Sequence, residues 1–122
     1  MPATPSRRIA LGQWGEQKAV EHLVAHGMEI VDRNWRCSLG ELDIVAYDGR
    51  TLVMIEVKTR TSEAFGTPAE AVTSRKATRL RRLAAQWLRE HGDRPLEVRI
   101  DVIGVLVPER GTWRLDHLKA VA

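Results

Sequence analysis

The sequence predicts a single α/β domain, a sandwich in which a central mixed five-stranded sheet is flanked by helices. Its 122 residues are 43% hydrophobic, which suffices for one buried core and leaves no room for a second domain. The predicted elements follow in the order helix, strand, strand, strand, helix, strand, strand, which is typical of an α/β fold. No apolar run approaches the roughly 20 residues that a membrane-spanning helix needs.

The first part of the chain predicts a flexible segment and then a helix. Residues 1–8 hold two prolines and two arginines without periodicity, so we expect a flexible basic N-terminus before one domain of residues 9–122. Apolar residues then recur at helical spacing from Leu11 to His26, and Gly27 suits the end of the helix. Glu16 lies on the apolar side of this helix. It is either an acid favoured by the helix dipole or an acidic group that faces the sheet.

The middle of the chain predicts three strands. Met28–Arg36 predicts the first strand, and the stretch from Gly40 to Arg60 predicts a hairpin with its turn at Asp48 and Gly49. Charged residues lie within the apolar hairpin strands, although Asp and Glu are disfavoured there by propensity. They are Glu41, Asp43, Glu56 and Lys58.

The charged residues of the hairpin predict a metal site. A two-residue turn at Asp48 and Gly49 would make Asp43 and Glu56 diagonal neighbours on one face, with β-carbons roughly 7 Å apart. Two carboxylates at this distance can hold a hard cation such as Mg²⁺, which keeps several waters, and Lys58 would lie beside it. The alternative is a solvated ion pair between Glu56 and Lys58. A loop of odd length would separate the two carboxylates onto opposite faces.

The next segment predicts a long helix with one apolar and one basic side. The helix begins at Thr67 or, favoured by the pattern, at Thr73 or Ser74, and it runs to about His91. Its basic side has no acid between residues 75 and 89, which is typical of a solvated helix face or of a surface that contacts phosphate. The basic residues are Arg75, Lys76, Arg79, Arg81, Arg82 and Arg89.

The last part of the chain predicts strands at Pro95–Val107 and Trp113–Leu118. Asp101 lies inside the first of them, but its alternation with Arg99 is typical of a same-face ion pair. The four histidines show no metal-ligand spacing, and we expect them at the surface. The single cysteine, Cys37, excludes an internal disulfide and a cysteine-based zinc site.

Several motifs together resemble a known family. The segments QWGEQKA, GELDIVAYDG, VMIEVKTR and RIDVIGV resemble the YraN-like bacterial family, which is similar to archaeal Holliday junction resolvases. Glu16, Asp43 and the run from Glu56 to Lys58 resemble the active-site pattern of the PD-(D/E)XK nuclease superfamily, although Leu42 stands where that name has proline. The resemblance implies a restriction-endonuclease-like fold and a metal-dependent nuclease that hydrolyses phosphodiester bonds in DNA, including branched DNA.

The resemblance also implies roles for individual residues. The catalytic residues would be Asp43, Glu56 and Lys58. The ligands of Mg²⁺ or Mn²⁺ would be Asp43, Glu56, the backbone carbonyl of Val57 and Glu16. The nucleic-acid contacts would be Arg60, Arg75, Lys76, Arg79 and Arg82.

Resolvase-like relatives commonly act as dimers, so a homodimer is implied as well. The alternative function is a non-catalytic nucleic-acid-binding module with the same fold. Since nothing near the start has the apolar core of a signal peptide, we expect a cytoplasmic protein.

Overall fold

The computed structural model describes residues 3–62, 64 and 72–121, with side chains described from residue 7 onward. Within these ranges the helices and strands follow one another in the predicted order, so the predicted α/β fold is confirmed. They are α1 (Ala3–Ala25), β1 (Glu29–Cys37), β2 (Gly40–Asp48), β3 (Thr51–Arg60), α2 (Ser74–His91), β4 (Glu97–Leu106) and β5 (Arg114–Leu118).

The strands form one mixed sheet in the order β1-β2-β3-β4-β5. β3 and β4 are parallel, with Thr51 opposite Glu97 and Arg60 opposite Leu106, and the other neighbours are antiparallel. Two parallel neighbours need a long crossover between them, and α2 lies in this connection. In the strand order given above, β3 is the central strand of the sheet.

The two helices cover opposite faces of the sheet. Val53 of β3 belongs to a core cluster with Leu23 of α1, whereas the next residue, Met54, belongs to a cluster with Leu83 and Trp87 of α2. This alternation is the two-residue period of a strand. No helix in the described ranges is both long and apolar enough to cross a membrane.

The predicted start of α1 was wrong, whereas the predicted start of α2 was right. α1 begins at Ala3, so residues 3–8 are helical and not the flexible segment that the sequence predicted. Pro5 lies in the first turn, where a missing backbone N–H breaks no intrahelical bond. The start of α2 at Ser74 is as predicted, and the Thr73 side chain caps it. The other predicted start, Thr67, lies outside the described residues.

A buried ionic cluster joins β4 to β5. The Asp101 side chain is fully buried, and its carboxylate accepts hydrogen bonds from Arg99 Nε at 2.9 Å and from the Ala120 backbone N–H at 3.0 Å. His117 Nε2 lies 2.8 Å from the same carboxylate. Burial alone would raise the pKa of Asp101, but these partners lower it below its ordinary value.

The Asp101 cluster confirms one prediction and corrects another. The ion pair between Asp101 and Arg99 is confirmed. His117 was expected at the surface, yet its side chain is only 9% exposed and its Nδ1 lies 3.1 Å from Nε2 of His22 on α1. Strand β5 is short and mostly polar, so its own pattern does not reveal that a helix side chain covers His117.

Gly15 allows α1 to lie close against β3. It is buried, and a β-carbon at this position would overlap the Thr59 side chain. Gly12, one turn earlier in the same helix, is exposed and has open space around the position of a β-carbon. Of these two glycines, only Gly15 is therefore required by packing.

We expect Gly15→Ala to lower the free energy of unfolding by roughly 1–3 kcal/mol, because the added methyl group forces α1 away from Thr59. Gly12→Ala is the matched control and should be neutral or stabilising by up to about 1 kcal/mol, since alanine favours the helix. Urea unfolding followed by circular dichroism measures both changes. Equal effects of the two substitutions would contradict the close approach at Gly15.

We expect Asp101→Asn to lower the free energy of unfolding by about 3 kcal/mol at pH 7, because it breaks a buried pair and leaves Arg99 only its partly exposed partner Asp48, at 3.0 Å. Asp116→Asn on β5 is the control, since that exposed residue pairs with Arg114 at 3.7 Å and should contribute less than about 1 kcal/mol. The lowered pKa means that the Asp101 contribution is present above pH 3.8 and is lost as the pH falls further. Urea unfolding from pH 7 to pH 3 should therefore narrow the difference in stability between wild type and Asp101→Asn.

Candidate active site

The hairpin of β2 and β3 places Asp43 and Glu56 on adjacent strands. Asp48 is opposite Thr51 and Ile44 is opposite Ile55, so the turn residues are Gly49 and Arg50 and the predicted turn was wrong by one residue. The paired ladder ends at Ile44 and Ile55, so Asp43 lies just beyond the last pair on β2 and Glu56 just beyond it on β3. Leu42 packs in the α2-facing cluster and Ile44 in the α1-facing cluster, so strict alternation is interrupted at Asp43, which nevertheless lines one cavity together with Glu56.

The turn position has a local physical reason. Gly49 adopts a φ of 62°, a conformation that strains other residues. A type II′ hairpin turn places glycine at the first of its two central positions, whereas the sequence prediction had placed it at the second. The Asp48-Gly49 dipeptide alone did not show whether the glycine takes the first or the second central position of the turn.

Asp43 is a partly buried carboxylate in an acidic environment. Its Oδ2 accepts a hydrogen bond from the Val57 backbone N–H at 2.9 Å. Burial raises the pKa of Asp43 to about 6; the Val57 bond opposes this shift, while the negative charges of Glu56, Glu16 and Glu41 add to it. The protein therefore concentrates negative charge around one carboxyl group.

Glu56 contacts two lysines. Its Oε1 lies 3.1 Å from Lys76 Nζ and 3.5 Å from Lys58 Nζ, and only 13% of its side chain is exposed. Lys58 follows Glu56 on β3, whereas Lys76 comes from the first turn of α2. The hydroxyl of Thr73 accepts a hydrogen bond from the Lys76 backbone N–H at 3.2 Å, which fixes that turn.

The position of Lys76 differs from the one expected from the sequence. The basic pattern of α2 grouped it with arginines that would contact nucleic acid. In the structure it lies against Glu56 with 19% of its side chain exposed, and burial lowers its pKa while the charge of Glu56 opposes that shift. Lys76 is thus part of the carboxylate site.

Glu16 faces the sheet from α1. Its Oε1 accepts hydrogen bonds from Asn34 Nδ2 at 2.9 Å and from Arg33 Nη2 at 3.2 Å, both on β1. Asn34 has a φ of 51°, which asparagine tolerates better than most residues. Since α1 begins at Ala3, Glu16 lies far from the first turn, and the helix-dipole interpretation no longer applies.

The acids line two adjoining cavities. One has a volume of about 420 Å³, and its wall includes Glu16, Asp43, Val57 and Lys58. The other, of about 330 Å³, is lined in part by Asp43, Glu56, Lys76 and Arg79. Asp43 and Glu41 line both, so the two cavities meet at Asp43.

The other predicted basic residues lie on the two sides of the acids. On one side, Arg75, Arg79 and Arg82 of α2 line a cavity of about 530 Å³. On the other side, Arg60 lines a cavity of about 520 Å³ together with Arg7 and Arg8 of α1. Arg7 and Arg8 were not among the predicted site residues, and α1 brings them to Arg60 because it starts early in the chain.

The donor atoms at this site suit a hard divalent cation. In the described part of the chain, no three side chains of the types His, Cys, Asp and Glu are placed to hold a metal ion together. Asp43 and Glu56 nevertheless provide two carboxylates, and Mg²⁺ takes only one or two of these with its remaining ligands from water. A cation would also offset the negative charge that raises the pKa of Asp43.

A family model and several relatives match this chain. A model described as "Uncharacterised protein family UPF0102" matches residues 15–105. A UPF0102 protein of Beutenbergia cavernae is 58% identical over 92% of this chain and 95% of its own, and one of Nocardioides sp. is 49% identical over 98% and 96%. Among solved structures, Hjc, a Holliday junction resolvase of Archaeoglobus fulgidus, matches with a TM-score of 0.46 and 22% identity over 86% of this chain and 75% of its own.

We expect Asp43→Asn to stabilise the protein at pH 8 in EDTA by about 2–3 kcal/mol, because the wild-type carboxylate is costly there. The pKa of Asp43 rises from 3.8 to about 6 on folding, so the favourable protonated form is fully present below pH 3.8 and is lost as the pH rises through 6. Urea unfolding at pH 4.5 and at pH 8 measures the difference. A gain that is the same at both pH values would contradict the raised pKa.

Proposed function

The chain belongs to the UPF0102 family, which confirms the predicted YraN-like membership, and we propose that it is a metal-dependent nuclease that hydrolyses phosphodiester bonds in DNA. The observation that carries this proposal is the carboxylate pair of Asp43 and Glu56 at the junction of two cavities, with Lys58 and Lys76 beside it. A purely structural ion network accounts poorly for Asp43. Burial and three acidic neighbours hold its pKa near 6, which makes its charged form unfavourable without a cation.

Mg²⁺ or Mn²⁺ would be held by Asp43, Glu56 and the backbone carbonyl of Val57, with Glu16 as a further acid at the cavity wall. Bound there, such an ion would supply Lewis-acid chemistry, polarising a phosphate and activating a water. Asp43 keeps its orientation through the Val57 N–H bond. Glu16 keeps its orientation through Asn34 and Arg33.

Lys58 and Lys76 have a role of their own in the proposed reaction. Both ammonium groups approach Glu56 from different elements, and Lys58 lines one and Lys76 the other of the two cavities that Asp43 borders. A fixed cation in a partly dry site stabilises negative charge that develops on phosphate oxygens. Either lysine can donate to such an oxygen, because an ammonium group has three rotatable donors.

The arginines on both sides of the acids would bind the DNA backbone. Arg75, Arg79 and Arg82 lie on one side, and Arg60 on the other. Phosphate contacts give affinity and register without reading the base sequence. We therefore propose that the protein recognises DNA structure, branched DNA included, and that a homodimer supplies one such site for each of two strands.

We expect the wild type to cleave at least one member of a labelled panel of four-way junctions, flaps, single strands and duplexes in the presence of Mg²⁺ or Mn²⁺. Asp43→Asn and Glu56→Ala should each slow cleavage at least a hundredfold, because the metal ligands supply several kcal/mol of transition-state stabilisation. The same two variants should lose the rise in Tm that millimolar Mg²⁺ produces in the wild type.

Glu97→Ala is the matched control for Glu56→Ala. Glu97 is an exposed acid on the neighbouring strand, opposite Thr51 at the far end of the ladder. Its substitution should leave cleavage and the Mg²⁺ effect on Tm unchanged. Binding of the panel by the wild type without any cleavage would contradict the nuclease and favour the non-catalytic binding module.

A further inference from the structure

Two tryptophans form a partly exposed pair outside the carboxylate site. Trp14 of α1 and Trp113, just before β5, contact edge to face with ring centroids 5.1 Å apart and an angle of 83° between the planes. They are 36% and 40% exposed, whereas Trp87 is buried in the core. The pair therefore joins α1 to β5 and still presents indole surface to solvent.

A positive charge lies over this aromatic pair. Lys18 Nζ is 5.4 Å from the Trp14 ring centroid and 5.9 Å from that of Trp113. Glu21, one turn further along α1, pairs with the same ammonium at 3.3 Å, but this pair is solvent-exposed and screened. An aromatic surface beside a lysine is the combination that binds a base and its phosphate together.

The aromatic pair lies next to the surface that begins at the acids. The cavity that Glu16 and Asp43 line together shares three wall residues with the cavity that Arg60 lines, namely Arg8, Leu11 and Thr59. Arg7, Trp14 and Lys18 are spaced by seven and four residues, so they lie on one side of α1. Arg7 also lines the cavity of Arg60, so this side of α1 borders the cavities.

The distance from the acids to the aromatic pair suits a short stretch of nucleic acid. Asp43 is on β2 and Trp113 comes just before β5, three strands away in the sheet. Neighbouring strands are about 4.8 Å apart, which gives roughly 14 Å across the sheet, and Trp113 also lies about five residues, roughly 16 Å, further along the strands, since Glu56 is opposite Val102 and Arg114 opposite Leu106. A strand of DNA with its phosphate at Asp43 would thus reach the tryptophans within a few nucleotides.

We propose that Trp14 and Trp113 form a stacking site for an unpaired base of the DNA whose backbone lies at the carboxylates. In a continuous duplex the faces of each base are covered by its neighbours, so only a single-stranded segment can offer a face to an indole. This inference rests on the proposed function and makes it more specific: the substrate carries unpaired nucleotides close to the cut. A second copy of the chain fits the surface less well, because a two-fold contact would bring the same lysine and arginine charges toward each other.

Binding of fluorescein-labelled oligo(dT) and of a blunt duplex of equal length, followed by anisotropy in EDTA, tests the inference without catalysis. We expect Trp113→Ala and Trp14→Ala to weaken oligo(dT) binding at least about fivefold, the loss of one stacked base. Duplex binding should change less than about twofold. Trp113→Phe should restore most of the oligo(dT) affinity, because a phenyl ring still stacks.

Leu96→Ala is the control for the loss of an exposed apolar side chain, since Leu96 is 69% exposed just before β4 and should not affect binding. Unchanged oligo(dT) affinity in both tryptophan variants would overturn the inference, as would an equal loss for oligo(dT) and duplex. A dimer that dissociates in Trp113→Ala, measured by light scattering, would show instead that the pair joins two copies. Selective loss of oligo(dT) binding without cleavage of any substrate would retain the stacking site and reject the nuclease.

Discussion

The pairing register of β2 and β3 is the constraint on which the site depends. Side chains alternate between the two faces of β3, so the register that pairs Ile44 with Ile55 accompanies a Glu56 side chain on the α2 side, against Lys76. A shift of this register by one residue would move Asp43, just beyond the last pair of β2, out of step with Glu56. The observed turn at Gly49 and Arg50 sets the register, and Asp43 and Glu56 line one cavity.

The acids of the site also connect the layers of the sandwich. Glu56 holds the first turn of α2 against β3 through Lys76, and Glu16 holds α1 against β1 through Arg33 and Asn34. These pairs are only partly exposed, so their charges are less screened than those of ion pairs in open solvent. The position of each helix is therefore coupled to the ion pairs that join it to the sheet.

The sequence predicted the features that depend on local periodicity and missed those that depend on how the helices pack on the sheet. The hairpin, the proximity of Asp43 and Glu56, and the capped start of α2 follow from strand pairing and from turn and cap chemistry. The partner of Lys76 and the burial of His117 depend on how a helix lies across a sheet, and no spacing within one element encodes that. The early start of α1 was missed because proline in a first turn resembles proline in a loop.

The parallel pairing of β3 with β4 determines when the charges of the site meet. Thr51 pairs with Glu97, 46 positions later in the chain, whereas the hairpin joins residues that are close in sequence. Local pairs form with little loss of chain entropy, so Asp43 and Glu56 approach each other before the crossover brings Lys76 to them. During folding the two carboxylates thus approach each other with only Lys58 beside them until α2 arrives, and dissolved cations that screen their repulsion should accelerate formation of the hairpin.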